Sequence, residues 1–569
     1  MASMTTVTRP MAAEVAQDRT TSEGLTLAAY PGDGAVLLAF DADESLRQSL
    51  AGFAVQYVSP DGATHPVRNR LSFSQPITSA TTPQERTFPS TTEAPLQKFH
   101  WVHFPPDVQP GTYTYRATAM LFAPGSEDKL TRGPSTEVSV DVYHPNEKFA
   151  LGFTRGYISS QAYAEQFHNA PITPDPPSID FDTAPYERQY RWLGFHARRM
   201  IVDFIAGAVE DSDLSLDVFA YDLDAPDLIA ELKKLGPRLR LYLDDSADHV
   251  KTGAHELDAH AALARTAGKE NIRTGHFNRF AHDKVMILKR GDVPIKVLSG
   301  SANFSIRGLY VQSNNVFVID DPAAAALYEQ AFEQSWTNAA GFAASPIASK
   351  WFELGGNGLP KYAVSFSPHD DPEVSLSRVA EAIKQAKSSV LFAIMEIGGG
   401  TGPVLEAIRD LPHRKDIYAF GTTQRLTGAL RVQAHGDPGT FIPFSYLTEK
   451  VPAPFQQEWN GGAGQVIHHK FVVVDFNGDS PIAFAGSSNL AAGGEHANGD
   501  NLVAITHPGL VAEYAVEAIK LIDHYRFRAT MRNATDEQPL RLKRRSENWA
   551  ADYYRPGTPK YIERTVFAS

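Results

Sequence analysis

The chain contains one long internal duplication, and the duplicated residues carry chemistry. From Ile467 to Asn501 it reads IHHKFVVVDFNGDSPIAFAGSSNLAAGGEHANGDN: an apolar strand with a His and a Lys two positions apart, a Gly-Asp turn, and a second strand ending in GSSN. The same layout stands 186 residues earlier, 282 against 468, in AHDKVMIL and GSANFS. His282 thus matches His468, Lys284 matches Lys470, Ser301 matches Ser487, Asn303 matches Asn489 and Asn315 matches Asn501. The register continues without a gap to Pro322 and Pro508 and to Tyr328 and Tyr514. One HxK is noise in a chain of 569 residues, but two in register with two GSxN turns are not. A period this long is domain duplication, not the short repeat of a solenoid. The two halves are expected to pack about a pseudo-twofold axis that brings the HxK strands together.

The flanks of both motifs alternate strands with helices. In the first copy SLDVFAYDL, RLRLYLDD and NNVFVID alternate with APDLIAELKKLG, a helix from Ala254 to Ala267, and PAAAALYEQAFEQSW. In the second, SVLFAIMEI, DIYAFGTT and NLVAIT alternate with VSLSRVAEAIKQA, GPVLEAIRDL and PGLVAEYAVEAIKLID. Such alternation argues for an α/β fold, a mixed sheet with helices on both faces in each half. Residues 1–24 lack periodicity and are expected to be disordered. Residues 25–146 hold about seven short alternating runs, among them LTLAAY, AVLLAF, PVRNRLSF and TYTYRATAM, which suggest an all-β sandwich. PGTYTYRATA resembles the penultimate strand of an immunoglobulin or fibronectin type III domain, with Tyr113 or Tyr115 as its corner tyrosine. After an irregular connector from Phe149 to Tyr190, the expected halves are 147–345 and 346–533. A tail, 534–569, with the basic run RLKRR and aromatics at Trp549, Tyr553 and Tyr554, is expected to pack on the catalytic unit.

In a strand, residues i and i+2 share a face, so each HxK presents its His and Lys together. His469 faces the other way from His468, which argues against the adjacent pair as metal ligands. Phosphodiester cleavage without a metal needs a nucleophile, a proton donor and fixed positive charge. Two histidines divide the first two tasks, because imidazole titrates near neutrality. Lys284 and Lys470 supply charge to the non-bridging oxygens, and Ser301, Asn303, Ser487 and Asn489 supply neutral donors. Duplicated HxK, a following Asp and GSxN resemble the phospholipase D superfamily over roughly Lys148 to Asn533. That resemblance implies two phospholipase D-like halves and a covalent phosphohistidine, resolved by water or an alcohol. It implies no cofactor.

The two copies are not equal. Asp475 follows the second HxK, whereas Lys289 stands in its place in the first. The odd offset from Lys470 turns Asp475 away from the HxK face, so it reads as a structural carboxylate. Thirteen residues after the motif Ser, where members of the superfamily often carry a carboxylate that bonds the catalytic His, stand Asp500 and Asn314. Asn314, Asn315, Asp475 and Asn501 read as supporting residues. A carboxylate partner favours the protonated ring. On that basis His468 backed by Asp500 is the general acid, and His282 steered by Asn314 is the nucleophile. Phe277, Phe280 and Trp459 precede the motifs and are candidates for a substrate mouth or for packing.

The formal charge of −13 gives no global pull toward polyanions, which lowers the weight of a nuclease. The absence of cysteine excludes thiol catalysis, disulfides and zinc-thiolate sites. There is no apolar run of transmembrane length and no ordinary secretory signal, so residence in the cytoplasm is the default, with export that needs no cleaved signal as the other route. The substrate class favoured is a phospholipid at a membrane surface. An endonuclease, to whose motifs HDKVMIL and GSANFS are similar, is the alternative, and a lapsed phosphodiester-binding protein is the third. No second subunit is required to complete the site.

Overall fold

The computed structural model describes residues 18–569 apart from 83–84, 107, 143–147, 157–158, 396–400, 426–428, 435–436 and 444–466. Trp459 lies outside the described residues. The N-terminal region is two four-stranded antiparallel sheets face to face. One orders Asp18–Ser22, Leu25–Gly32, Ala35–Ala42 and His100–His103; the other orders Thr64–Pro66, Leu50–Val58, Gly111–Phe122 and Leu130–Val142. Alternation in Tyr113, Tyr115, Ala117 and Ala119 points those side chains into the shared core. The Tyr113 hydroxyl bonds both the N–H and the carbonyl of Gln109, at 2.9 and 3.2 Å.

Two expectations are corrected here. Asp18–Ser22 is a strand, laddered to Leu25–Gly32 in full register, although it falls in the segment expected to be disordered. Its polar sequence conceals it because it is an edge strand with four of its five residues exposed. The run PVRNRLSF is not a strand: the ladder stops at Pro66. Asn69 turns the chain away, its side-chain amide donating to the carbonyls of Ala94 and Pro95 while its oxygen accepts from Arg70 and Leu71 N–H.

The region from Phe149 to Arg532 is α/β, built from two halves of matching topology. The first sheet orders Ile272–Gly275, Leu239–Asp244, Leu214–Ala220, Val285–Arg290, Val293–Gly300, Asn315–Ile319 and Phe149–Phe153. The second runs through the corresponding Tyr418–Arg425, Ser389–Ile394, Lys470–Val474, Ile482–Gly486, Asp500–Ile505 and Leu359–Ser367. Phe149–Phe153, expected as irregular connector, closes the edge of the first sheet by antiparallel pairing with Asn315–Ile319. Matching helices follow the strands Asn315–Ile319 and Asp500–Ile505, namely Pro322–Asn338 and Pro508–Arg532, each opening on a proline whose missing N–H is not needed there. Pro508–Arg532 is buried on most of its circumference because it also packs on the sandwich, where Gly32 leaves room for Val516. The turn after Gly32 docks the sandwich on the first half, the Asp33 carboxylate accepting from Phe153 N–H at 2.7 Å and pairing with His196.

The tail does not pack on the catalytic unit alone. Trp549, Tyr553 and Tyr554 complete the sandwich core, with the Trp549 indole donating to the Leu50 carbonyl and the Tyr554 hydroxyl to that of Ala42. The final helix, Pro559–Ala568, then places Phe567 against Tyr418 and Phe476 of the second half. The basic run is a strap, with Arg541 and Lys543 paired to Glu547 at 2.7 and 3.3 Å and Arg545 donating to the Ala123 carbonyl.

A buried imidazolium holds these parts together. His100 of the sandwich bonds Asp523 of Pro508–Arg532 at 3.1 Å and Glu563 of the final helix at 2.8 Å. Burial alone depresses the pKa of this ring, but the two carboxylates outweigh it and raise it to about 9. A pKa raised on folding adds stability that is fully present below the unfolded value near 6.5 and is lost as pH rises through about 9. This shift corresponds to about 3 kcal/mol. Urea unfolding from pH 7 to 10 is expected to show that loss, and His100→Gln is expected to remove the pH step.

Candidate active site at the junction of the halves

Two short parallel bridges bring the motifs together, Ala281 with Gly499 and Ser313 with Ile467. The two are images of each other under the duplication. Each joins the residue before one motif His to the residue before the Asp or Asn of the other half. Backbone bonds from Gly499 N–H to the Phe280 carbonyl, 2.8 Å, and from His468 N–H to the Ser313 carbonyl, 3.1 Å, fix the junction. His282, Lys284, His468 and Lys470 converge there, with no more than 5% of any of them exposed. The Lys284 ammonium donates to the carbonyl of His282, and that of Lys470 to the carbonyl of His468 at 2.9 Å.

The structure corrects the partners expected for the two histidines. Asp500 does not bond His468; its carboxylate accepts from His282 Nδ1 at 2.7 Å. His468 Nδ1 instead faces the Asn314 side-chain oxygen at 2.9 Å and the Ser301 carbonyl at 3.1 Å. Each histidine is therefore oriented by the opposite half. Since every atom facing Nδ1 is an acceptor, both rings carry their proton on Nδ1 and present Nε2 to the site. Burial and the Lys284 ammonium push His282 down, against the pull of Asp500, to about 4. Burial, Lys470 and Lys284 hold His468 well below its ordinary value, and among the described residues its ring bonds an amide and a carbonyl and no carboxylate. Burial also lowers Lys284 to about 8, with Asp500 opposing that shift.

Asn314 has a physical reason to be an amide. Its Nδ2 donates to the Gly308 carbonyl at 2.8 Å, a contact in which a carboxylate would set oxygen against oxygen. Asp500 meets no such carbonyl there; its second oxygen accepts from Asn498 Nδ2 at 3.3 Å.

The motif serines support the site from behind. The Ser301 hydroxyl donates to the Asn314 side-chain oxygen at 2.8 Å and accepts from Asn315 N–H. Ser487 bonds Asp500 and accepts from Asn501 N–H at 3.0 Å. Their donors are thus engaged by supporting residues, not turned to a phosphate as expected. Asn303 and Asn489 each hold a buried side-chain oxygen with no partner among the described residues, and Asn303 Nδ2 donates to Asp222. Asn315 and Asn501 tie the halves from below: Asn501 takes the Tyr328 hydroxyl at 3.2 Å and donates to Asp283 at 2.7 Å, while Asn315 takes the Tyr514 hydroxyl at 3.3 Å.

Asp475 lies away from the histidines and gathers the backbone N–H groups of Lys387, Ser388 and Ser389 at 2.7 to 3.0 Å. At the matching position Lys289 pairs with Asp217 and Glu329, a charge network of another kind. Phe277 is packed against Phe342 and is a core residue.

One group beside the first motif escapes sequence inspection. His249 bonds Asp222 at 3.0 Å through Nε2 and Asp244 at 2.7 Å through Nδ1, and Asp244 also accepts from Ala281 N–H at 2.6 Å. Asp222, His249 and Glu256 lie close enough to share a metal ion. With both ring nitrogens facing carboxylates, however, His249 is an imidazolium: burial is outweighed and its pKa is raised to about 10. A ring protonated on both nitrogens has no lone pair for a metal. The only signal in the sequence was the acidic ends of two parallel strands, AYDLD and LYLDD, where open α/β sheets place their sites.

The fold and the site define two α/β halves of matching topology that share one centre of two histidines and two lysines. Residues 201–336, which include the first motif, match the family described as "Cardiolipin synthase, PLD-like domain". Comparison with curated proteins finds no match. Among solved structures, Nuc, a phospholipase D family member from Salmonella typhimurium, is similar at 24% identity over 24% of this chain and 85% of its own, with a TM-score of 0.20. Phosphatidylserine synthase from Haemophilus influenzae is similar at 12% identity over 64% of this chain and 90% of its own, TM-score 0.39. Yeast tyrosyl-DNA phosphodiesterase is similar at 11% identity over 52% and 83%, TM-score 0.26. Among the described residues no helix is long and apolar enough to cross a membrane.

Proposed function

We propose that this protein is a metal-independent phosphodiesterase that works through a covalent phosphohistidine and releases head groups from phospholipids. The observation that carries the reading is the crossed pair of histidines, each with Nδ1 tied to an acceptor and flanked by a buried lysine. In the first step His282 Nε2 attacks phosphorus. The N–P bond forms, the P–O bond to the leaving group breaks, and the departing alkoxide takes a proton from protonated His468. In the second step His468 takes a proton from water or an alcohol, whose oxygen attacks phosphorus and breaks the N–P bond. Lys284 and Lys470 neutralise the non-bridging oxygens.

Phosphorylation at Nε2 with Nδ1–H retained leaves the ring cationic, and Asp500 beside His282 stabilises that charge, as a carboxylate does behind any imidazole that becomes charged in a reaction. The less basic His468, once protonated, is the stronger acid. His282 thus keeps the nucleophile's role, though for a reason opposite to the partner first expected for it. A lipid substrate agrees with the description of the matched family and with a net charge of −13, which attracts no polyanion. The appended sandwich reads as an immunoglobulin- or fibronectin III-like brace.

The test is made in EDTA with wild type and His468→Ala side by side, following head-group release from mixed phospholipid vesicles and cleavage of single-stranded DNA. Lipid turnover that is lost in the variant, with DNA left intact, supports the reading. DNA cleavage alone replaces it with a nuclease, and loss of turnover in EDTA removes the metal-independent mechanism.

A further inference from the structure

A cavity of about 870 Å³ lies between the sandwich, the first half, the Pro508–Arg532 helix and the tail. Asn69–Leu71, Leu96–Lys98 and residues of Trp101–Pro106 form one wall, Phe153–Arg155 with Trp192 and Phe195 a second, and residues of Lys520–Phe527 and Arg541–Trp549 a third. None of His282, Lys284, His468 and Lys470 lines it. We propose that this cavity is a second ligand site, which takes a phosphomonoester carrying an apolar or aromatic body.

Charge is the first argument. The lining holds three more Lys and Arg than Asp and Glu, and its acids are already engaged. Of its cations, Lys98, Arg541, Lys543 and Lys560 are paired with those acids and Lys520 with Glu517, which leaves Arg70 as the deciding cation. Asp33 pairs with His196, Asp523 with Lys98 and His100, Glu547 with Arg541 and Lys543, and Asp552 with Arg555. The Arg70 guanidinium pairs with no carboxylate among the described residues and lies over the Phe527 ring, 5.2 Å from its centroid. Arg155 lies over Trp192 and Phe195 at 4.8 and 4.3 Å. A guanidinium over a ring, as Arg70 is over Phe527, can offer its edge donors to a planar fork of phosphate oxygens. The field at this spot is positive: beyond burial, Arg528, Arg70 and Lys520 hold His524 well below its ordinary pKa.

Charge number and size narrow the class. A phosphomonoester carries nearly two negative charges at neutral pH and three acceptor oxygens, matching several donors and a surplus of cations, where a carboxylate or a diester brings one charge. A cavity this large is the size of a small-molecule site, and phosphate alone would leave most of it unfilled. The remaining surface includes Trp101, Trp192 and Phe104, the last 47% exposed, which suits an acyl chain or a nucleobase.

Calorimetric titration of the full chain tests this with a short-chain lysophosphatidate, AMP, inorganic phosphate and short-chain lysophosphatidylcholine, the last a diester control. At least one monoester is expected to bind. Its affinity should weaken at least tenfold in Arg70→Gln and less in Arg70→Lys, which keeps the charge and loses the fork. It should change less than twofold in Lys470→Gln. Lysophosphatidate alone identifies a lipid source, and AMP alone a nucleotide source. Binding of neither monoester overturns the proposal, as does equal binding of the diester control. So does binding that is kept in a folded Arg70→Gln and Arg70→Lys but lost in Lys470→Gln, since the ligand would then sit in the catalytic site. Wild-type turnover of phosphodiesters is measured separately, so failure of the proposed reaction and failure of this site are told apart.

Discussion

Alanine at position 282 is expected to abolish phosphodiester turnover, by about 10^4-fold or more, and to leave no phosphorylated protein on acid-free quenching. Alanine at position 468 is expected to act differently. With a diester whose leaving group needs no proton, such as a nitrophenyl ester, the first step survives. The second step then stalls, because nothing remains to deprotonate the attacking water. His468→Ala should therefore accumulate an acid-labile phosphoryl group on the peptide that holds His282. The separation follows from geometry: both rings present Nε2 to one centre, but only His282 has a carboxylate on its far side. Mass spectrometry of the quenched variants checks it. A phosphorylated peptide holding His468 in His282→Ala would exchange the two roles.

Asp500→Asn is expected to lower kcat by about 10^2- to 10^3-fold, since it removes the charge that stabilises a cationic His282. The pH profile separates this from simple loss of structure. Burial lowers Lys284 to about 8, and Asp500 is the largest influence opposing that shift. In wild type the Lys284 ammonium, the proposed partner of the non-bridging oxygens, is present below about 8 and is lost as pH rises through it. Without Asp500 its pKa falls further, so the alkaline limb of inhibition by inorganic phosphate, read beside the acid limb of kcat/KM, should move to lower pH by about one unit. The acid limb, set by the need for neutral His282, should move down from about 4, because Asp500 also raised that pKa. A merely loosened fold would lower the rate without moving both limbs the same way.

The duplication was legible because its residues keep one register from His282 to Tyr328, and that register carried the α/β alternation of both halves with it. The exchange of partners was not. Asp500 stands thirteen residues after Ser487 whether it serves its own half or the other, and a one-dimensional spacing is the same in both cases. Only the parallel bridges between Ala281 and Gly499 and between Ser313 and Ile467 decide it. Asn314 departs from the carboxylate pattern because the Gly308 carbonyl, six residues earlier, faces its side chain, and nothing in the spacing shows which way that carbonyl points. His249 was invisible for a different reason: it stands 33 residues before His282, outside the motif, and its carboxylate partners Asp222 and Asp244 are brought to it only by the fold. The tail aromatics were seen, but not that Trp549 and Tyr553 lie against Phe99 in the sandwich core.

The crossed histidines also bear on how such a chain is inherited. A crossover that replaced residues 346–533 with the corresponding stretch of a relative would leave every local motif intact. It would nevertheless hand His282 a foreign partner in place of Asp500, and hand Asn314 a foreign histidine to orient. The two copies are thus bound to change together, and the unit that can be shuffled among relatives is the pair, never one half.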